Sequence, residues 1–150
     1  MDLQEVLKMN KFESPNHRAA LNIMYTGYWL AERMNKLLKP FGLSEQQYNV
    51  LRILRGQKGK PANLFMIQER MIHKMSNATR LVEKLRKKSM VERRICEENR
   101  RMVEITITKK GLDMLDKIQP SISANEKELF GRLNEKEATE LADLLDKLRG

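Results

Sequence analysis

Two short alternating stretches constrain the fold of this chain more than any other feature of its sequence. Residues 91–95 and 102–107 alternate apolar and polar side chains, which is typical of half-buried β-strands. In the second stretch Val103, Ile105 and Ile107 point to one face. Only the six residues CEENRR separate the stretches, so we predict that they pair as one hairpin.

The other periodic segments have the spacing of three and four residues that predicts amphipathic helices. Six helices are predicted, at about residues 14–40, 44–55, 63–71, 75–88, 108–130 and 134–150. Thr108 and Asn134 are placed to cap the last two, and Pro120 is expected to kink or interrupt the fifth. Three short helices followed by a hairpin are the outline of a winged helix-turn-helix, mainly α with a small β-hairpin wing. The 150 residues fit one domain.

Positive charge is concentrated in the predicted helix-turn-helix and wing. The chain carries a net charge of +9, and residues 70–110 hold 13 Lys and Arg against 5 Asp and Glu, whereas residues 111–150 hold 6 against 9. A block of this kind is typical of a surface that binds a polyanion. The sequence therefore favours nucleic acid as the partner, and a merely solvated basic face is the alternative.

The fourth predicted helix carries side chains suited to base edges, because asparagine can pair with adenine and arginine with guanine in the major groove. The residues predicted to read DNA are Lys74, Ser76, Asn77, Thr79, Arg80 and Lys84. Those predicted to contact phosphates are Arg86, Lys87, Lys88 and Arg94. At the wing tip, Arg100 is predicted to enter a narrow A·T-rich minor groove, and Arg101 to contact a phosphate or Glu98.

The same residues resemble a known family. The segments SNATRLVEKLRKKSMVERR, EENRRMVEITITKKG and GLSEQQYNVLRIL are similar to parts of the MarR family of bacterial transcription regulators, and the similarity spans about residues 17–148. The resemblance implies a homodimer interlocked through its N- and C-terminal helices, and a repressor that binds pseudo-palindromic double-stranded operators and is released by a small molecule. The DNA-binding lobe would span about residues 44–107, between dimerisation helices at 14–40 and 108–150.

Two departures from the family pattern concern the ends of the recognition helix and the wing. Ser89, followed by Met90, replaces a glycine that commonly ends the recognition helix in a left-handed conformation, at an expected cost of about 1 kcal/mol. Asn99 stands where the family usually has an acidic residue that braces the wing arginine. That role would then fall to Glu98.

Tyr25, Tyr28 and Trp29 cluster on the first predicted helix, near where the resemblance places an effector cleft. They are the candidate pocket for a small aromatic ligand, and ordinary core or dimer packing is the alternative.

Composition excludes several classes of function. One cysteine and two histidines cannot build a disulfide or a structural zinc site, so no metal is expected. Cys96 lies beside two carboxylates, which disfavour a reactive thiolate, and it is expected to be an exposed strand residue. No catalytic motif, cofactor site, secretory signal or membrane span is visible, which indicates a cytoplasmic protein that is not an enzyme. The alternative function is a helical scaffold whose basic face binds RNA or an acidic partner.

Overall fold

The structure is a computed structural model that describes residues 2–96 and 102–150. Its elements in chain order are α1 (Leu3–Val6), α2 (Pro15–Leu38), a 3₁₀ turn (Lys39–Phe41), α3 (Glu45–Gly56), α4 (Leu64–Arg70), α5 (Ala78–Lys87), β1 (Val91–Ile95), β2 (Val103–Ile107), α6 (Lys109–Phe130) and α7 (Glu135–Arg149). The described chain is therefore mainly α with a two-stranded hairpin, as the sequence predicts. It divides into two compact units, Met1–Glu45 and Gln46–Gly150.

The first unit is dominated by the long helix α2. Ser14 caps it by accepting a hydrogen bond from the backbone N–H of His17 at 3.1 Å. The Nδ1 atom of His17 in turn accepts the backbone N–H of Glu13 at 3.3 Å. The one-turn helix α1 was not predicted, because four residues are too few to show a helical period.

The second unit is built around the side chains that α3 to α6 and the hairpin turn inward. Its largest fully buried apolar residues are Val50, Leu51, Leu54, Ile67, Met71, Val82, Leu85, Val91, Ile105, Leu115 and Ile118. Burying one such side chain stabilises the fold by about 1.5–3 kcal/mol. This core is therefore what holds the helix-turn-helix and the hairpin in place.

The hairpin is antiparallel and gains a third partner from the segment before α4. Val91 lies opposite Ile107, and Ile95 lies opposite Val103. Ala62 bridges to Ile105 through two backbone hydrogen bonds of 2.9 and 2.8 Å. Of the predicted inward face of β2, Ile105 is fully buried, whereas Val103 and Ile107 are half-buried like the residues between them.

A compact junction joins the end of α5 to the start of α6. Ser89 has φ 58°, so the left-handed conformation expected of it is confirmed. Its N–H donates to the carbonyl of Arg86, and the N–H of Met90 donates to that of Leu85, which are the two bonds of a Schellman motif. The hydroxyl of Thr108 donates to the Ser89 carbonyl at 2.8 Å and caps α6. The α5–α6 junction thus fixes how the recognition helix leads into the hairpin.

The two C-terminal helices end the chain. Helix α6 continues through Pro120, so the predicted interruption of the helix at this proline does not occur. Helix α7 begins at the predicted cap Asn134 with a capping box, in which Asn134 and Glu137 each accept the other's backbone N–H at 2.9 and 2.8 Å. None of the described helices is long and apolar enough to cross a membrane.

Candidate nucleic-acid interface

Helix α5 is held against the protein by one apolar face. Ala78, Val82 and Leu85 are buried, and Leu81 is half-buried. The helix begins at Ala78, three residues later than predicted. The turn of the helix-turn-helix is therefore three residues longer at this end than the sequence predicts.

Asn77 is the physical reason for the later start. Its backbone is extended, and its Oδ1 accepts the N–H of Arg80 at 2.9 Å, which makes it the N-cap. Short polar side chains compete with the helix backbone in this way, so they favour caps over helix interiors. The cap occupies the oxygen that Asn77 would need for bidentate pairing with adenine. Its predicted place on the helix face is therefore corrected to the helix end.

Lys74 and Ser76 also lie before the helix rather than on it. The N–H of Ser76 donates to the carbonyl of His73 at 3.0 Å, within the turn. The Lys74 ammonium donates to the backbone carbonyl of Glu69, at the end of α4. Both residues still stand beside the N-terminal end of α5, where recognition helices contact base edges.

The outward face of α5 has the predicted character. Thr79, Arg80 and Lys84 are all exposed. This face therefore presents two cations and a hydroxyl, which are groups that can bond to guanine, phosphates or either base edge.

Arg86 has a partner within α5. Its Nε and Nη2 donate to the two carboxylate oxygens of Glu83 at 2.9 and 2.8 Å. These hydrogen bonds hold the pKa of the Glu83 carboxyl below its usual value and raise the pKa of the Arg86 guanidinium. The pair is close to neutral, so Arg86 offers less net attraction to a phosphate than its sequence position suggests.

The root of the hairpin extends the basic surface beside α5. Arg86, Arg93 and Arg94 line one groove, where Nη2 of Arg94 donates to Glu92 at 2.9 Å. Arg93 was not among the predicted contacts. It is exposed together with Arg94 because β1 buries only Val91 and shows solvent on both faces beyond it.

The remaining predicted phosphate contacts lie at the end of α5. Lys87 is exposed and Lys88 is half-buried. At the other end of the hairpin, Arg100, Arg101, Glu98 and Asn99 lie outside the described residues.

The aromatic candidates lie on one stretch of α2. Tyr28 is exposed, whereas Tyr25 and Trp29 are half-buried. The Arg33 guanidinium carbon lies 5.5 Å from the centre of the Trp29 ring, within cation–π range. Helical spacing places Tyr25 and Trp29 on one face of α2.

The remaining candidate residues are potential metal ligands and the single cysteine. Residues 2–96 and 102–150 contain no group of three or more His, Cys, Asp or Glu that could hold a metal ion. Cys96 is half-buried rather than exposed, and its backbone N–H donates to the Met102 carbonyl at 3.0 Å.

Comparisons with known proteins agree with this geometry. The sequence model of the MarR family matches residues 43–103. Over 119 residues the chain is 28% identical to the transcriptional repressor MprA of Escherichia coli (strain K12), covering 79% of this chain and 68% of MprA. A crystal structure of a MarR transcription factor from Planctomyces limnophilus is 29% identical, with a TM-score of 0.69 over 91% of this chain and 98% of that one. The organohalide-sensing regulator RdhR-CbdbA1625, solved with 2,4-dichlorophenol bound, shares the fold at 19% identity, with a TM-score of 0.81 over 91% and 80% of the two chains.

Proposed function

We propose that the chain is a transcription regulator of the MarR family, whose sequence model matches residues 43–103 and whose relative MprA is 28% identical. We propose further that it represses transcription as a homodimer that reads a pseudo-palindromic operator with α5. The observation that carries this proposal is the division of α5 into a buried apolar face and an exposed face with Thr79, Arg80 and Lys84. A helix of this kind at the second position of a helix-turn-helix fits the major groove. The related MprA is a repressor, which supports the direction of regulation.

The contacts that we propose follow the position of each side chain. Arg80 pairs with guanine, while Thr79 and Ser76 bond to a base or a phosphate. Lys74, Asn77 and Lys84 lie at the edges of the same surface and add backbone contacts. The proposed phosphate contacts are Arg86, Lys87, Lys88 and Arg94.

The wing completes the proposed interface. Arg100 enters the adjacent minor groove, where narrow A·T-rich sequence concentrates negative potential, and Arg101 binds a phosphate or Glu98. Arg100→Ala and Arg101→Ala should each weaken DNA binding, and Arg100→Ala should also reduce the preference for A·T-rich flanks. Each lost phosphate contact should reduce the slope of log affinity against log salt concentration by about one. If both variants bind DNA with the affinity of the parent chain at every salt concentration, the wing is not part of the interface.

Dimerisation is proposed through helices α2, α6 and α7, with residues 44–107 forming the DNA-binding lobe. Helix α7 supports this division because Leu141, Leu144 and Leu148 leave an apolar seam exposed. Helix α2 likewise exposes Met24. A second copy supplies the self-complementary surface that such seams need.

The ligand that would release DNA is proposed to be a small aromatic compound held near Tyr25, Tyr28 and Trp29. The half-buried Trp29 ring is the only tryptophan of the chain, so its emission reports binding directly. A panel of phenols and aromatic acids, including 2,4-dichlorophenol, should shift that emission and release bound duplex. A panel that does neither would remove the ligand from the proposal.

The main test compares nucleic acids directly. We propose a cytoplasmic, non-enzymatic regulator, and its relatives named above are transcription regulators. Labelled duplex DNA, duplex RNA and an acidic peptide should be titrated with the intact chain at several salt concentrations. Sequence-selective binding of duplex DNA alone supports the proposal. Preference for RNA or for the peptide would instead favour a scaffold with a basic face.

A further inference from the structure

The turn between α4 and α5 exposes large apolar side chains next to the cationic face of α5. Met75 is 98% exposed, Ile72 74% and Phe65 71%. Each forgoes about 1.5–3 kcal/mol that burial would provide. A single exposed apolar residue is ordinary, but large apolar side chains that are exposed together are of the kind that marks an interaction site.

Two of these side chains share one groove at the N-terminal end of α5. Met75 and Phe65 line it together with Gln68, Ser76 and Thr79. We call this the Met75 groove. Ile72 does not line it, although it belongs to the same turn.

The backbone that carries Met75 is fastened on both sides by one side chain. Nε2 of Gln68 donates to the Lys74 carbonyl at 2.8 Å, and Oε1 of Gln68 accepts the N–H of Ala78 at 3.2 Å. Met75 lies between these two attachment points. Since the turn is ordered before any partner arrives, presenting Met75 to a partner costs little conformational entropy.

The surroundings of the groove indicate the partner's chemistry. Lys74 and Arg80 stand on either side of Met75 in the sequence, and both are exposed cations. An apolar protein surface would have to bury these charges, whereas a nucleic acid neutralises them with phosphates. On the base edges of the major groove, the apolar group is the 5-methyl of thymine.

We infer that the Met75 groove receives the 5-methyl group of a thymine in each operator half-site. Met75 and Phe65 would enclose that methyl, and the γ-methyl of Thr79 would complete the contact. The inference rests on the proposed function, because it assigns a base preference to the DNA that α5 reads. It makes Met75 a specificity-determining residue that acts by apolar contact beside the hydrogen-bonding Arg80.

The test replaces thymine by uracil, which lacks only the 5-methyl group. The intact chain first selects its sites from random duplex DNA. Each thymine of the selected duplex is then changed singly to uracil, and affinity is measured by fluorescence anisotropy. We expect a loss of about 4-fold at one or two thymines per half-site, which corresponds to one buried group the size of a CH₂.

Protein variants assign that loss to the groove. Met75→Ala should bind the thymine duplex less tightly and should no longer distinguish uracil from thymine at the sensitive position, whereas Met75→Leu should keep most of the discrimination. Ile72→Ala is the matched control, since this side chain is similarly exposed but lies outside the groove. It should keep the full 4-fold difference.

The outcomes separate the two hypotheses. A parent chain that binds its selected duplex but ignores every uracil overturns the inference and leaves the proposed function standing. Retention of the whole uracil penalty by Met75→Ala overturns it as well. A selection that enriches no duplex contradicts the proposed function itself.

Discussion

Helices α5 and α7 are both amphipathic, but only α5 buries its apolar face within the chain. Val82 and Leu85 of α5 are buried, while Arg80 faces solvent. Helix α7 contains no buried residue, and Leu144 and Leu148 remain 58% and 69% exposed. The two helices therefore expose side chains of different chemical character. The recognition helix leaves the cations Arg80 and Lys84 in solvent, and the last helix leaves apolar side chains in solvent.

Charge separates the two helices further. Helix α5, of sequence ATRLVEKLRK, holds four basic residues and one acidic residue. Helix α7, of sequence EKEATELADLLDKLR, holds three basic and five acidic residues. A polyanion is attracted to the first and repelled by the second. These differences support the proposal that DNA is the partner of α5 and a second copy of the chain is the partner of α7, and the following changes test it.

The largest effect is expected from charging the α7 seam. Leu144→Glu combined with Leu148→Glu should remove about 6 kcal/mol of apolar burial per dimer, counting both leucines in both copies. Because these side chains are exposed in the single chain, the fold itself should persist. Sedimentation should show monomers, and DNA binding should lose its cooperativity. A variant that stays dimeric and binds normally would refute the assignment of α7.

The next effect concerns the α5–α6 junction. A Cβ atom on Gly111 would lie 2.3 Å from the Met90 carbonyl oxygen and 2.7 Å from Ile107 Cγ1. Gly111→Ala should therefore destabilise the protein by about 3 kcal/mol, since backbone must shift to make room. Denaturant melts measure this directly. Gly27→Ala is the control, because nothing lies within 4 Å of its added Cβ. Equal stability of the two variants would mean that the junction is looser than the distances indicate.

A smaller effect is expected from the cation at the start of α5. Arg80→Ala should cost about 1–3 kcal/mol in DNA binding and relax the preference at one base position per half-site. Lys136→Ala removes a cation from α7 instead, and affinity should not change. Titration of both variants against selected duplexes provides the comparison. If the two substitutions weaken binding equally, the affinity depends only on the net charge of the protein and α5 does not contact specific bases.

The smallest effect is a gain in stability. Ser89 holds φ 58°, which glycine adopts without strain. Ser89→Gly should stabilise the fold by about 0.5–1 kcal/mol and leave DNA affinity unchanged. Ser76→Gly is a matched control at a turn position without a positive φ, and no gain is expected there. A neutral result for Ser89→Gly in denaturant melts would show that the hydroxymethyl group has a compensating contact.

The features found from sequence are those with local chemical causes. Caps at Thr108 and Asn134 follow from short side chains beside periodic helices, and the hairpin follows from alternation. The start of α5 was placed three residues early, because Asn77 was assigned to the helix face although it is the N-cap. The exposure of Phe65 was not foreseen either.

The solvent exposure of an apolar residue cannot be predicted from its identity alone, because the same residue type occurs both buried and exposed. Only the packed structure shows which of them remains in water. The two arginines of the wing tip stay a prediction from sequence, since Arg100 and Arg101 lie outside the described residues.

The most direct test of the division between α5 and α7 is a hydroxyl-radical footprint of the intact chain on a duplex selected from random DNA. Two copies joined through their terminal helices would each place one α5 in the major groove. We expect two protected half-sites of related sequence, in inverted orientation, whose centres lie about 10 bp apart. Protection of a single unrepeated site, or uniform protection without sequence preference, would contradict the claim that α5 reads DNA while α7 pairs the copies.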